Sequence, residues 1–428
     1  MMGYWDGKAA ALENIRHYSR GEGWRASEDQ KNDKGEVVER GSARSVEETL
    51  TLALNASNLV LLTGAGSSFC ARNPKDDAKQ APGMRDLWDA VVVAATLAPI
   101  DAIAAKVPNT KAIAEAKNIE KFLTHCKMYL ELFGADKAKE VSDFITLAEK
   151  TIAARVDFAS EATDLTAHQA IIRKIARRGI RKPRVRIFTT NYDLCFEYAA
   201  QGLRFTVIDG FSHSIPQVYD RGHFVHDIVR RDGGKDSPDY IENVFHLHKL
   251  HGSIDWRRKG SELLRSRDDR DGTPALIYPR DSKYQEAFES PYLDMMSAFQ
   301  TAIREPDTAL IVSGFGFNDD HISKPIMAAV EANMTLRIVV CDMAFLASTE
   351  LEKADHILSA ESSAQENASP FFAKLKRLAD IGDQRISLLN GRFQDLAQAI
   401  PDLVAQTERE RHAERIKVLH EPPIGAGA

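Results

Sequence analysis

Thr63, Gly64, Ala65, Gly66, Ser67 and Ser68 follow directly on the apolar run Leu59, Val60, Leu61 and Leu62. Glycines lack a Cβ, so the backbone can approach a ligand closely and the N–H groups that follow can point at phosphate oxygens. A dinucleotide is the first candidate ligand, and an ordinary strand-to-helix turn is the alternative. Three further stretches end apolar runs in the same manner. "TTNYD" places Thr190, Asn191 and Asp193 where uncompensated polar groups are costly. Asn191 donates and accepts at once, which suits orienting a water or a ribose hydroxyl, although capping of the next helix accounts for the same residues. "KLHGSIDW" carries His251 and Gly252. A histidine titrates near neutrality, which makes it a candidate proton acceptor, or it is simply held in a turn. "SGFGFNDDHI" supplies Ser313, Gly314, Gly316, Asn318 and Asp319, a second glycine pair suited to contacts with a sugar.

Metal chemistry has weaker support. His246, His248 and His251 form an HxHxxH run, but alternation along a strand puts His246 and His248 on one face while His251 follows a change of direction, so a metal site is not expected. The four cysteines, Cys70, Cys126, Cys195 and Cys341, are dispersed with no CxxC, and structural zinc is not expected either.

These residues need strands to carry them. Strand-like runs occur at "RVRIFTTN", "RFTVID", "NVFHLHKLHG", "ALIYP", "TALIVSG" and "LRIVVCD", separated by helix-length segments. That alternation predicts an α/β fold with a Rossmann-like, mostly parallel sheet flanked by helices. In such sheets ligands bind outside the carboxyl ends of the strands, which is where all four motifs fall. "RISLLN" and "FQDLAQAIPDL" are expected to add an edge strand and a closing helix. Between about 90 and 181 the period becomes helical, with stripes through Ile119, Phe122, Leu123 and Cys126 and through Val141, Phe144, Ile145 and Ala148, which predicts a helical insertion. Residues 1–44 show no apolar period and are expected to form a polar N-terminal arm. Ser45 and Glu48 make a capping-box pattern for a helix before the Asn58 strand. The main domain is placed at 45–405 and a mobile tail at 406–428.

Composition narrows the function classes. Lys and Arg total 56 against 62 Asp and Glu, a net charge of −6, which gives no general attraction for nucleic acid or anionic membrane. The apolar stretch "AVVVAATLAPI" is far short of the roughly twenty residues of a membrane span, and the N-terminus has no signal-peptide pattern, so a soluble cytoplasmic protein is expected.

Taken together and in order, the four motifs resemble the sirtuin (silent information regulator) family. Its GAG-x-S loop matches residues 64–68, its T-Q-N-x-D motif matches 189–193, its His-Gly matches His251 and Gly252, and its ribose loop is similar to 313–318. The resemblance spans roughly Leu59 to Asp342 and implies NAD as substrate, with Gly64, Ala65, Gly66, Ser67, Ser68, Thr190, Gly252, Ser313, Gly314, Gly316 and Asn318 around it. Two departures matter. Protein-deacylating sirtuins hold a structural zinc with two CxxC pairs, absent here, and the short G-I-P-D-F-R continuation is missing, with "APGMRDLWDAV" arriving later. Both features resemble the divergent bacterial sirtuin-like proteins of antiphage defence, which hydrolyse NAD. Some of these work beside a HerA-type ATPase, others with a short Argonaute or a nucleotide-sensing domain.

That resemblance implies cleavage of NAD to nicotinamide and ADP-ribose. Asn191 would hold the water or ribose hydroxyls, His251 accept a proton, and Asp193 orient the motif or stabilise charge. A regulated homo-oligomer with a protein partner is expected, with the helical stripes around Phe122 and Phe144 covering the site, meeting other subunits, or only packing on each other. An NAD-dependent deacylase or ADP-ribosyltransferase, and a non-catalytic nucleotide-binding scaffold, are the competing readings.

Overall fold

A computed structural model describes residues 4–96, 99–134, 137–178, 182–231, 239–276 and 290–403. Its centre is a ten-stranded sheet among the described residues. In chain order the strands are β1 (Arg16–Ser19), β2 (Gly23–Ala26), β3 (Asn58–Thr63), β4 (Arg186–Thr189), β5 (Thr206–Ile208), β6 (Val244–Lys249), β7 (Thr308–Ser313), β8 (Arg337–Cys341), β9 (Ile357–Leu358) and β10 (Ile386–Asn390). Their spatial order is β9-β2-β1-β10-β8-β7-β3-β4-β6-β5. From β10 to β5 every pairing is parallel. The chain leaves β3 toward β4, β5 and β6, then returns to β7 on the other side of β3. The boundary between β3 and β7 is therefore the topological switch point, where an open α/β sheet places its ligand cleft. The architecture is a Rossmann-like α/β sheet flanked by helices, with a helical insertion.

Alternation along the strands builds both layers. Val60 and Leu62 face a core completed by Met295 and Phe299, Ile322 and Ile326, and Phe372 and Leu375. Leu59 and Leu61 face the other way, onto Val46 and Leu50, Ile171 and Ile172, and Phe196. Both faces of β3 are thus covered, which explains its unbroken apolar run.

Several expectations need correction. Residues 1–44 are not a polar arm throughout: β1 pairs antiparallel with β10 through Arg16↔Asn390 and His17↔Leu389, and β2 pairs with β1 and β9. Trp24, 1% exposed, and Ile15, 0% exposed, anchor this edge in the core. "RISLLN" is consequently an interior strand rather than an edge. The helix before β3 runs Ala43–Asn55 with Ser42 at its N-terminus, so Ser45 lies inside the helix and forms no capping box. Of "ALIYP", Ala275 and Leu276 close the strand Thr273–Leu276 of a separate four-stranded sheet with Gln217–Val218, Glu262–Arg265 and Gly252–Lys259, and its last three residues lie outside the described residues. The expected tail at 406–428 lies outside the described residues.

The insertion begins earlier and ends earlier than expected. Helices Met84–Ala94, Ile100–Lys106, Lys111–Glu115, Ile119–Phe133 and Lys139–Val156 share one core, whereas Thr166–Ala176 belongs to the layer against the sheet. Phe122 and Phe144 are both 0% exposed and meet edge-on at 5.8 Å, so the two stripes pack on each other. Tyr192, Leu194 and Ile254 join the same core, which ties the insertion to the motif loops. Among the described residues no helix is long and apolar enough to cross a membrane.

Candidate active site

A cleft of about 590 Å³ lies across the carboxyl ends of the parallel strands. Gly64, Ala65, Gly66 and Ser68, Thr190, Asn191 and Asp193, His251, and Gly314, Gly316 and Asn318 all line it. Ser67, Gly252 and Ser313 do not. Ser67 is buried, its hydroxyl donating to the Gly64 carbonyl at 2.8 Å; Ser313 is buried at the end of β7; and Gly252 turns the chain into the second sheet at φ +87°.

The glycines also have a role within the protein itself. A Cβ on Gly66 would lie 2.7 Å from Gly314 Cα, and one on Gly314 would lie 2.4 Å from the Ser67 nitrogen. The loops after β3 and β7 therefore cross backbone on backbone, locked by the Gly66 N–H donating to the Gly314 carbonyl at 2.9 Å. The Ser67 N–H is likewise engaged, by Gly64 at 2.9 Å. The glycine pairs serve the crossing of two loops, and the N–H groups of Gly66 and Ser67 already have partners within the protein.

The crossing aims Asn191. Its Nδ2 donates to the Gly64 carbonyl at 2.9 Å and to Ser68 Oγ at 2.7 Å, with Ser67 Oγ at 3.2 Å. A carbonyl accepts only, so these contacts fix the amide orientation and leave Oδ1 as its remaining acceptor. Ser68 Oγ in turn donates to Asp193 Oδ2 at 2.7 Å, while Asp193 Oδ1 accepts from the Cys195 N–H at 3.0 Å. Asp193 thus holds Ser68 and the first turn of helix Cys195–Leu203 together. Beneath the loop, the buried Lys249 ammonium donates to the Asp193 carbonyl and to Ser253 Oγ at 3.0 Å, and pairs with Glu197 at 2.9 Å.

His251 is 3% exposed and its Nε2 lies 3.0 Å from the Nε2 of His321. One ring must donate and the other accept. Burial pushes the His251 pKa down to about 4, so the ring is neutral at pH 7. His321 stands exposed in the first turn of helix Asp320–Ala332. It lies within the fourth motif, yet helix placement rather than a strand end positions it, so sequence reasoning passed it over. His248, by contrast, is sandwiched between Phe188 and Phe224 at 4.4 and 4.0 Å, away from His251. Among the described residues no three His, Cys, Asp or Glu side chains gather as a metal site.

Two other acids in the cleft were not foreseen. Glu120, from the insertion helix Ile119–Phe133, has its carboxyl pushed up to about 8 by burial and by the charge of Asp319. Asp342, just after β8, is pushed up to about 7 by burial, against a hydrogen bond from the Ala344 N–H at 2.9 Å. Phe317 in the fourth motif adopts φ +53°, a left-handed conformation unfavourable for a bulky residue, and is pinned by Phe315, Phe372 and the Ser369 hydroxyl.

No curated protein matches the chain. A solved structure reported as "Structural Basis for the Mechanism and Regulation of Sir2 Enzymes" is similar over 88% of this chain and 99% of that chain, at 12% sequence identity and a TM-score of 0.35. Residues 185–367, the segment that carries Asn191, Asp193, His251 and the second glycine loop, match the family model of a SIR2-like domain.

Proposed function

We propose that this protein is an NAD glycohydrolase that cleaves NAD to nicotinamide and ADP-ribose. The observation that carries the reading is one cleft holding an oriented Asn191 amide and the buried, neutral His251. The cleft reaches from His251 after β6 to Gly391 and Arg392 after β10. Five strand steps at about 4.8 Å span about 24 Å, room for a dinucleotide rather than one nucleotide.

Scission breaks the bond from the ribose C1′ to the nicotinamide nitrogen. The bonding pair returns to the pyridinium ring, so neutral nicotinamide leaves without being protonated and positive charge develops on the ribose. The Asn191 Oδ1 dipole faces that charge and orients the attacking water. Water adds to C1′, and its proton passes to His251 and from there through the exposed His321 to solvent. Asp193 acts through Ser68 as a positioning residue. The absence of a CxxC pair from the sequence favours hydrolysis over protein deacylation.

The biological setting we propose, an NAD-depleting effector of antiphage defence controlled by homo-oligomerisation and by a partner such as a HerA-type ATPase or, alternatively, a short Argonaute, rests on the resemblance set out from the sequence motifs. Incubation with NAD tests the chemistry: the wild type releases nicotinamide, and Asn191→Ala and His251→Ala release none while remaining folded. Wild-type turnover in either variant removes the assignment. Light scattering tests assembly, a monomer with full partner-independent turnover being the contrary result.

A further inference from the structure

At the end of the cleft farthest from His251, the wall is formed by a segment far away in sequence. Trp5 lines the cleft beside Asp342, Met343, Gly391 and Arg392 and is itself only 8% exposed. Its indole is braced by Tyr4 edge-on at 5.0 Å and by the Arg392 guanidinium 5.1 Å from the ring centroid. Arg392 fastens the strap. It donates to the carbonyls of Trp5 at 3.3 Å, Lys8 at 3.0 Å and Ala9 at 2.9 Å, and pairs with Asp395 through Nε at 2.8 Å and Nη2 at 2.9 Å. Asp395, 0% exposed, also accepts from the Ala11 N–H at 3.1 Å and Asn14 Nδ2 at 2.8 Å. All five guanidinium N–H groups are engaged, so Arg392 holds the strap and is not available to a phosphate.

We propose that this N-terminal strap is a specificity element for the purine-nucleoside end of the dinucleotide, with the Trp5 indole as the wall against the base. The inference rests on the NAD reading above. The NAD reading and one observation together point to the nucleoside here. The nicotinamide end is assigned to Asn191 and His251, several strand ends away, and a dinucleotide laid along the strand ends brings its second nucleoside to β8 and β10. Asp342 there uses Oδ1 for the Ala344 N–H and leaves Oδ2 without a partner among the described residues, a carboxylate at a strand end suited to a ribose hydroxyl. A large aromatic surface beside such an acid fits a flat purine. Arg392 and Asp395, just after β10, fasten the strap together with β1 and the Ser27 hydroxyl donating to the Leu12 carbonyl at 2.9 Å, and occupancy of this end slows the opening of residues 4–14 further.

Calorimetric titration with ADP-ribose and, separately, nicotinamide mononucleotide tests this in the full chain. Trp5→Ala is expected to weaken ADP-ribose by about tenfold or more, the usual effect of removing an aromatic surface from a base. Nicotinamide mononucleotide stays within about twofold of wild type, a difference of less than about 0.4 kcal/mol. Trp5→Phe retains most of the affinity, and Arg392→Gln behaves like Trp5→Ala. Hydrogen exchange of the unmutated protein supplies a second readout that needs no substitution: residues 4–14 exchange more slowly with ADP-ribose bound. Equal ADP-ribose affinity in Trp5→Ala, equal weakening of both ligands, or unchanged exchange at 4–14 overturns the inference. A wild-type protein that binds neither ligand overturns the NAD reading itself.

Discussion

Gly314→Ala separates a glycine needed for a loop crossing from one needed for ligand contact. The new Cβ would sit 2.4 Å from the Ser67 nitrogen and 2.6 Å from the Gly66 carbonyl carbon, both backbone atoms that cannot swing aside. Restoring ordinary contact requires the two loops to part by about 1 Å. The residue is also at φ +67°, where a side chain adds about 1–2 kcal/mol. Overpacking contributes about 1–3 kcal/mol more, so the expected loss is about 2–5 kcal/mol. The Gly64 carbonyl and Ser68 hydroxyl that aim Asn191 ride on the displaced loop, and a shift of about 1 Å in reacting geometry lowers turnover by about a hundredfold. Gly21→Ala is the control, because it shares a positive φ of +77° but meets nothing within 4 Å. It should cost about 1 kcal/mol and leave turnover unchanged. Scanning calorimetry and chromatographic release of nicotinamide measure both effects. Gly314→Ala with wild-type turnover refutes the reasoning that the crossing positions Asn191.

Lys249→Met removes one partner of a buried ion pair and should destabilise by about 3–5 kcal/mol, partly restored by adding Glu197→Gln; chemical denaturation of the single and double variants checks this. His321→Gln should lower turnover by about tenfold to a hundredfold and enlarge the solvent isotope effect, whereas a structural role leaves that effect unchanged. Thermal stability should peak near pH 6.5. Below it, His168, His246 and His251, held down to about 4 by burial, stay neutral while the unfolded chain takes up protons, each costing about 1.4 kcal/mol per pH unit down to about pH 4, and His248, held well below its ordinary value by burial, adds to the loss. Glu120 and Asp342, raised to about 8 and about 7, offset part of that loss and reduce stability as pH climbs above 6.5. Melting curves between pH 4 and 8 decide it, and stability rising steadily toward acid contradicts it.

The parallel strands were legible because a strand buried on both faces has to be an apolar run, and the polar residues that end it stand out against that run. Asn191 and His251 are such residues. The antiparallel strands β1 and β2 were not, since a short strand of mixed polarity is specified by its partner, and β1 finds Asn390 and Leu389 far along the chain. For the same reason the N-terminus looked detached from the cleft that Trp5 in fact lines. The glycines pointed correctly to a close backbone approach while concealing what approaches, because a neighbouring loop and a phosphate both call for a missing Cβ. Glu120 had no local signal: an amphipathic helix shows which face it buries, not which of its acids reaches another domain's cleft.

Water is the proposed nucleophile at a site built from Asn191 and His251. Incubating the purified protein with NAD in ¹⁸O-enriched water, and reading the products by mass spectrometry, tests it most directly. Equimolar nicotinamide and ADP-ribose are expected, the latter with a C1′ oxygen taken from the solvent, and no product from Asn191→Ala. Nicotinamide release only when an acylated lysine peptide is present, with the acyl group transferred to ADP-ribose, would contradict it, as would an intact NAD pool.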